Sequence, residues 1–339
     1  MKKLTLEEVA KLAGVSRATV SRVVNKSNNV SPELRTRVQR VIEETGYQPH
    51  VAARTLASRR SNIIGLLIPS VTQFVFADPY YPPLIEGISR ACNLNDYTLA
   101  LFLLHSADEQ EQIYQRALGI GLLDGLIVTA DKIADPLIPE IIARQIPAVY
   151  VGRPPDASRT SFVDVDNVAG AYVATSHLLR LGYQRIATIS GPQNSTVGID
   201  RREGYLRALR ERGREIDPRL IAEGDFSRDS GYTAMRQLLP RHPDAVFAAT
   251  DTMALGAIQA IQDAGLEIPG DVALIGFDDL PLAAQADPPL TTIRQPVRYT
   301  GILAVQTLIE LLETALQPPR HIILPTELVI RATCGAMRS

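Results

Sequence analysis

The chain has 339 residues, 45% hydrophobic and 21% charged, which suits two or three packed folding units and excludes collagen-like, disulfide-stapled and disordered classes. Its net charge of −2 conceals an asymmetry: residues 1–60 carry twelve Lys and Arg against five Asp and Glu, a balance of +7, and the rest carries 23 against 32. A basic head on an acidic body confines any contact with a polyanion to the head.

The first sixty residues read as short helices. Thr5 followed by Glu8 has the spacing of a capping box, and Leu6, Val9 and Ala10 form the apolar side of a helix ending near Gly14. Ser16 caps a second helix in "SRATVSRVV", where Val20, Val23 and Val24 fall at i, i+3 and i+4. With the valines inward, Arg17, Ala18, Ser21 and Arg22 turn outward. Ser31-Pro32 opens a third helix whose apolar side is Leu34, Val38, Val41 and Ile42. Two helices joined by a short Gly-containing turn form a helix-turn-helix, whose second helix can enter the major groove of DNA. On the pattern alone, a solvated amphipathic helix in a three-helix cap is equally consistent. The +7 balance favours DNA.

"HVAARTLASRRS", His50 to Ser61, is too short to be a stable helix alone and reads as a hinge. From Asn62 the pattern changes. "IIGLLIP", "LALFLL", "GLIVTA", "AVYVG", "RIATIS", "AVFAAT" and "VALIGF" read as buried strands, and "IILPTELVIRAT" is strand-like near the end. Helical stretches at 168–181, 201–212, 230–239 and 252–264 alternate with them. This predicts α/β architecture, and about 270 residues of it suggest two doubly wound parallel-sheet lobes.

Cys92 and Cys334 have no metal or redox spacing, which favours free thiols in a reducing compartment, the cytoplasm. The opening "MKKLTLEEVAKLAG" breaks any signal-peptide run with Glu7 and Glu8, and no apolar stretch is long enough to span a membrane. Enzyme signatures are missing. "GIGLLDG" is no dinucleotide fingerprint, because its third glycine comes one residue late and a strand follows. No Walker loop, nucleophile elbow or His-Glu-x-x-His occurs, and five scattered histidines show no ligand spacing. Neither catalytic residues, nor a metal, nor a cofactor is expected.

The stretch from "TLEEVAKLAGVSRATVSRVVN" through "AARTLASRRSNIIGLLIP" resembles the N-terminal region of LacI/GalR-family transcriptional regulators, and the resemblance extends to the chain's end. It implies that Arg17, Ala18 and Arg22 face bases, that Thr5, Ser16, Thr19, Ser21 and Asn25 contact phosphates, and that Leu56 wedges into the minor groove. It further implies a body like a periplasmic binding protein, with an effector held between two lobes. The expected division is a head over 1–48, a hinge over 49–61 and a body over 62–339. One lobe would take 62–160 and 292–322, the other 161–291 and 323–339.

By position within the resemblance, Arg201 in "DRREGY" and Asp278 in "GFDD" bind the effector, Phe226 in "EGDFS" forms a stacking wall, and Tyr80 and Tyr81 lie on the rim. Thr250 and Arg153 are further expected effector contacts and mark departures, Thr250 standing where many relatives have an asparagine and Gly152-Arg153 where some sugar-responsive ones have an aspartate. Asp251, before "TMALGAIQAI", reads first as a helix cap. The expected function is operator binding, as a repressor, controlled by a saccharide, with a nucleoside or phosphorylated metabolite as the alternative ligand. A pure solute-binding transport protein is the rival class, opposed by the basic head. Two-fold pairing of heads predicts a homodimer on a pseudopalindromic DNA site, and only "CGAMRS" follows the last strand-like stretch, so no heptad tail for tetramers is expected.

Overall fold

A computed structural model describes residues 4–24, 29–47, 60–104, 106, 109–119, 123–129, 132–314 and 319–336. The chain divides into two compact units, residues 1–62 with 122–124, and residues 63–121 with 125–339.

In the first unit, α1 (Leu6–Ala13), α2 (Arg17–Val24) and α3 (Pro32–Thr45) share one small core of Val9, Ala10, Ala13, Val20, Val23, Val38 and Tyr47. Thr5 and Glu8 close a reciprocal capping box at the start of α1. Gly14, at φ 62, ends that helix in the left-handed conformation that glycine adopts without steric cost. Ser31 caps α3, with Pro32 in its first turn.

The second unit holds two lobes. The first is built on β1 (Ile63–Val71), followed by α4 (Thr72–Ala77), α5 (Tyr81–Leu94), β2 (Thr98–Leu104), α6 (Gln110–Gly119), β3 (Gly125–Thr129), α7 (Leu137–Ala143), β4 (Ala148–Val151) and β5 (Ser161–Val165). The second begins at α8 (Asn167–Arg180) and continues through β6 (Ile186–Ser190), α9 (Thr196–Glu211), β7 (Ile221–Glu223), α10 (Arg228–Leu238), β8 (Ala245–Ala248), α11 (Asp251–Asp263), β9 (Ala273–Asp278), α12 (Pro281–Gln285) and β10 (Thr291–Arg294). The chain then returns to the first lobe for α13 (Val297–Glu313) and β11 (His321–Leu324), and ends in the second with β12 (Glu327–Val329).

The first sheet has the order β11-β5-β4-β3-β1-β2 and is parallel throughout. The second, β12-β10-β9-β8-β6-β7, is parallel except for β12, which pairs antiparallel with β10. β3 and β5 are buried along their whole length, as expected of strands covered on both faces.

The lobe breaks differ from those expected. Breaks at 160/161, 291/292 and 322/323 fall at or inside strands β5, β10 and β11, whose registers run Ser161–Val163 on Val149–Val151, Thr291–Arg294 on Ile275–Asp278, and His321–Leu324 on Phe162–Val165. The crossings lie after these strands, at 165–167, 294–297 and 324–327, because a strand cannot leave its sheet without breaking its hydrogen-bond ladder. β5, β7 and β10 are strands that no apolar run announced: "SFVDV", "IAE" and "TTIR" are short and interrupted by polar residues.

Candidate functional site

Each unit holds one candidate site. On α2, Val20 and Val23 are buried while Arg17, Ala18 and Arg22 are exposed and Ser21 is half-buried, so helical geometry turns these side chains away from the core. The hydroxyls assigned to phosphates already have local work. The Thr5 Oγ accepts from the Glu8 N–H at 3.2 Å, while the Glu8 carboxylate accepts from the Thr5 N–H at 2.6 Å. Ser16 Oγ accepts from the Thr19 N–H at 3.1 Å and lies 2.9 Å from the Thr19 hydroxyl. Thr5 and Ser16 therefore fix helix starts whatever else they touch. Arg17 lies 3.3 Å from Glu7 with both side chains exposed, a pair weak enough to exchange for a nucleic-acid partner. Asn25 and Leu56 lie outside the described residues.

Within the second unit, a cleft of about 740 Å³, its open mouth included, lies at the C-terminal ends of both sets of strands, where open α/β sheets hold ligands. The structure brings Tyr80, Tyr81, Arg201, Phe226, Thr250 and Asp278 together here. Asp78, Asp164, Asn167 and Gln295 join them, none expected beforehand: Asp78 and Gln295 sit in loops, Asp164 near a strand end, and Asn167 at the start of α8.

Arg201, on α9, is 4% exposed and is the hub. Its Nε donates to Asn167 Oδ1 at 2.9 Å, and its Nη1 donates to the Ala249 carbonyl at 2.5 Å and to Asp278 Oδ1 at 3.3 Å. The guanidinium lies 3.7 Å from the centre of the Phe277 ring, a cation–π contact. These contacts fix the plane of the group and leave Nη2 as the edge available to a ligand. Gln295 also donates to Asp278 Oδ1, at 2.6 Å, so the second oxygen of Asp278 is the one left to accept from a guest.

Three carboxylates surround this one guanidinium. Burial pushes the Asp164 carboxyl up to about 6, against N–H donation from Val165 and Arg153 that favours the ionised form. Burial likewise raises Asp278, with Arg201 opposing, and raises Asp78, with the Tyr80 N–H and Arg201 opposing. Phe226, Asp278 and Asp279 have φ of 72°, 120° and 56°, a cluster of non-glycine residues in a sparsely populated region beside the cleft.

Two expectations are corrected. Arg153 does not line the cleft: its Nη2 donates to both oxygens of Asp200 at 2.7 and 2.8 Å, and only neighbouring Gly152 faces the cavity. Asp251 is not the cap of α11, because Thr250 takes that place by accepting from the Met253 N–H at 3.2 Å. The Asp251 carboxylate is fully buried, accepting from the Leu280 N–H at 2.9 Å and the Thr292 hydroxyl at 2.5 Å. A Cβ at Gly276 would sit 2.4 Å from it, so glycine there makes the room.

A helix-turn-helix head with an outward polar helix, in one chain with a two-lobed body whose cleft is lined by charged and aromatic residues, defines the class of ligand-responsive DNA-binding regulators. Comparison with known proteins supplies the particular family. Residues 5–50 match the bacterial regulatory proteins of the lacI family, and residues 175–334 match the periplasmic binding protein-like domain. The chain is 40% identical over 332 residues to the HTH-type transcriptional regulator CelR of Thermobifida fusca, covering 96% of this chain and 97% of that one. It is 37% identical over 309 residues to the ribose operon repressor of Escherichia coli K12, covering 90% and 92%. Among solved structures it is similar to a CelR–cellobiose complex, with a TM-score of 0.78 at 38% identity over 98% and 100% of the two chains. It also matches a lac repressor dimer bound to operator and the anti-inducer ONPF, with a TM-score of 0.83 at 29% identity over 98% and 99%. The chain belongs to the LacI family of transcriptional regulators.

Proposed function

We propose that this regulator is a repressor acting in the bacterial cytoplasm, as a homodimer on a pseudopalindromic operator, and that a neutral saccharide held in the cleft sets its affinity for DNA. The observation that carries the choice of ligand is the charge of the cleft: Asp78, Asp164 and Asp278 face one guanidinium, Arg201, whose charge Asp278 already offsets. A phosphorylated metabolite would meet carboxylates where it needs cations. Sugar hydroxyls suit the same groups, donating to carboxylate oxygens and accepting from Arg201 Nη2, while Phe226, Tyr80 and Tyr81 offer ring faces to the apolar C–H surfaces. One relative supports this reading, since the solved CelR structure is a complex with cellobiose.

In the head, Arg17, Ala18 and Arg22 read base edges, with Arg22 suited to a bidentate pair with guanine, while Ser21 and Thr19 lie towards the backbone. The output of the cleft is binding, with no chemical step. A ligand that prefers one arrangement of the lobes shifts the population towards it, and reciprocity requires DNA to shift ligand affinity by the same factor.

An operator selected from random duplexes, then titrated by fluorescence anisotropy with and without neutral mono- and disaccharides, tests this reading. An affinity change of tenfold or more with a neutral sugar supports it. A response confined to sugar phosphates or nucleosides overturns the ligand assignment.

A further inference from the structure

The two lobes touch along one edge of the cleft through groups that neither bind the expected ligand nor build either core. The Ile133 N–H, in the first lobe after β3, donates to the Asn194 carbonyl of the second at 2.8 Å, and Lys132 pairs with Ser195 as an isolated antiparallel bridge. Ser195 is the N-cap of α9, accepting from the Gly198 N–H. One turn further along that helix, Asp200 receives both hydrogen bonds from Arg153 of the first lobe. The pair is partly shielded, with side-chain exposures of 38% and 16%. Val197, between these ties, and Arg201, next to the second, line the cleft from α9.

The ion pair also closes a ring of contacts through the cleft. The Arg153 N–H donates to Asp164 at 3.0 Å, and the other Asp164 oxygen accepts from the Asn167 side-chain amide at 3.1 Å. The carbonyl oxygen of that amide accepts from Arg201, which is covalently next to Asp200. A guest that moves Arg201 or Asp164 therefore acts on both ends of the Arg153–Asp200 pair.

We propose that Arg153 and Asp200 form an electrostatic latch between the lobes, holding α9 and its Arg201 against the first lobe. Arg153 is thus a positioning residue for the effector site and not one of its contacts. This rests on reading the cleft as the effector site, but the latch is testable without a ligand.

Hydrogen–deuterium exchange of the full-length, ligand-free protein reports on the Ile133 amide and on the first turns of α9. Arg153→Ala and Asp200→Asn should each speed exchange at these amides on the order of three- to tenfold, the range expected for a partly shielded ion pair, while β3 and β6 exchange as before. The reversed pair, Arg153→Asp with Asp200→Arg, should restore slow exchange, which a role in side-chain packing would not do. In the unmodified protein, 1 M salt should speed the same amides by screening. Unchanged exchange in Asp200→Asn, with the fold intact by circular dichroism, overturns the latch. Restored exchange alongside no response to any sugar would keep the latch and dismiss only the ligand.

Discussion

The outward helix of the head and the cleft of the body, the two proposed sites, are built in opposite ways. On α2 the side chains come from one stretch of eight residues, Arg17, Ala18 and Arg22 stand exposed, and Arg17 makes an exchangeable ion pair with Glu7. In the cleft, Asp78, Asp164, Arg201 and Asp278 come from four distant segments, and the guanidinium and its carboxylate are nine-tenths buried or more. Helical periodicity alone positions the first site, so it tolerates substitution without loss of fold. The second is held by the fold and in turn helps to hold it, so on the proposed reading ligand recognition and stability share the same interactions.

Breaking the buried hub should have the largest effect. Arg201→Ala removes one partner of a buried pair, leaving Asp278 with Gln295 but without its counter-charge and depriving Asn167 Oδ1 and the Ala249 carbonyl of their donor, a loss of about 3–5 kcal/mol. Calorimetric titration should show sugar affinity lowered at least hundredfold, and thermal melting should show a clear destabilisation. Wild-type melting would break the comparison at its buried end. Arg22→Ala should do the reverse, leaving the melting temperature unchanged while discrimination between operator and scrambled DNA falls by about 1–3 kcal/mol per half-site in competition binding. Retained discrimination would remove Arg22 from the reading face.

This contrast also explains what the sequence revealed. The capping box at Thr5 and Glu8, the buried Val20 and Val23 and the polar face of α2 followed from spacing, because a helix converts spacing directly into direction. The two-sheet architecture followed from apolar runs. Asp164 and Gln295 could not be found this way, because their place in the cleft depends on β5 and β10 pairing with distant strands. Position within the family resemblance placed Arg201 and Asp278 in the cleft but put Arg153 there too, since it shows neighbours along the chain and not the Asp200 carboxylate that draws the guanidinium away. Thr250, in turn, took the capping role expected of Asp251, because the buried Thr292 and Leu280 claim that carboxylate.

The pH response should be intermediate in size and of opposite sign for the free and liganded states. Asp164 has its carboxyl raised to about 6, so its contribution to the stability of the free body is fully present below the ordinary carboxylate range and lost as pH rises through about 6. Asp278 is shifted in the same direction. A sugar hydroxyl donating to these groups needs them ionised, so affinity should fall about tenfold between pH 7.5 and 5, with proton release on binding near pH 6. Flat affinity over that range would take the carboxylates out of ligand contact. The smallest effect is expected from Thr5→Ala, which removes the capping box at a cost of about 0.5–2 kcal/mol. Hydrogen exchange should quicken in α1 and leave the cleft strands untouched.

The most direct measurement is a thermal-shift comparison of the purified protein with neutral sugars, cellobiose among them, and with the phosphorylated forms of the same sugars, because a guest of the folded state raises the melting temperature by mass action. A cleft with three carboxylates around one committed guanidinium predicts a rise with a neutral saccharide and none with its phosphate. A rise with the phosphate alone would contradict it.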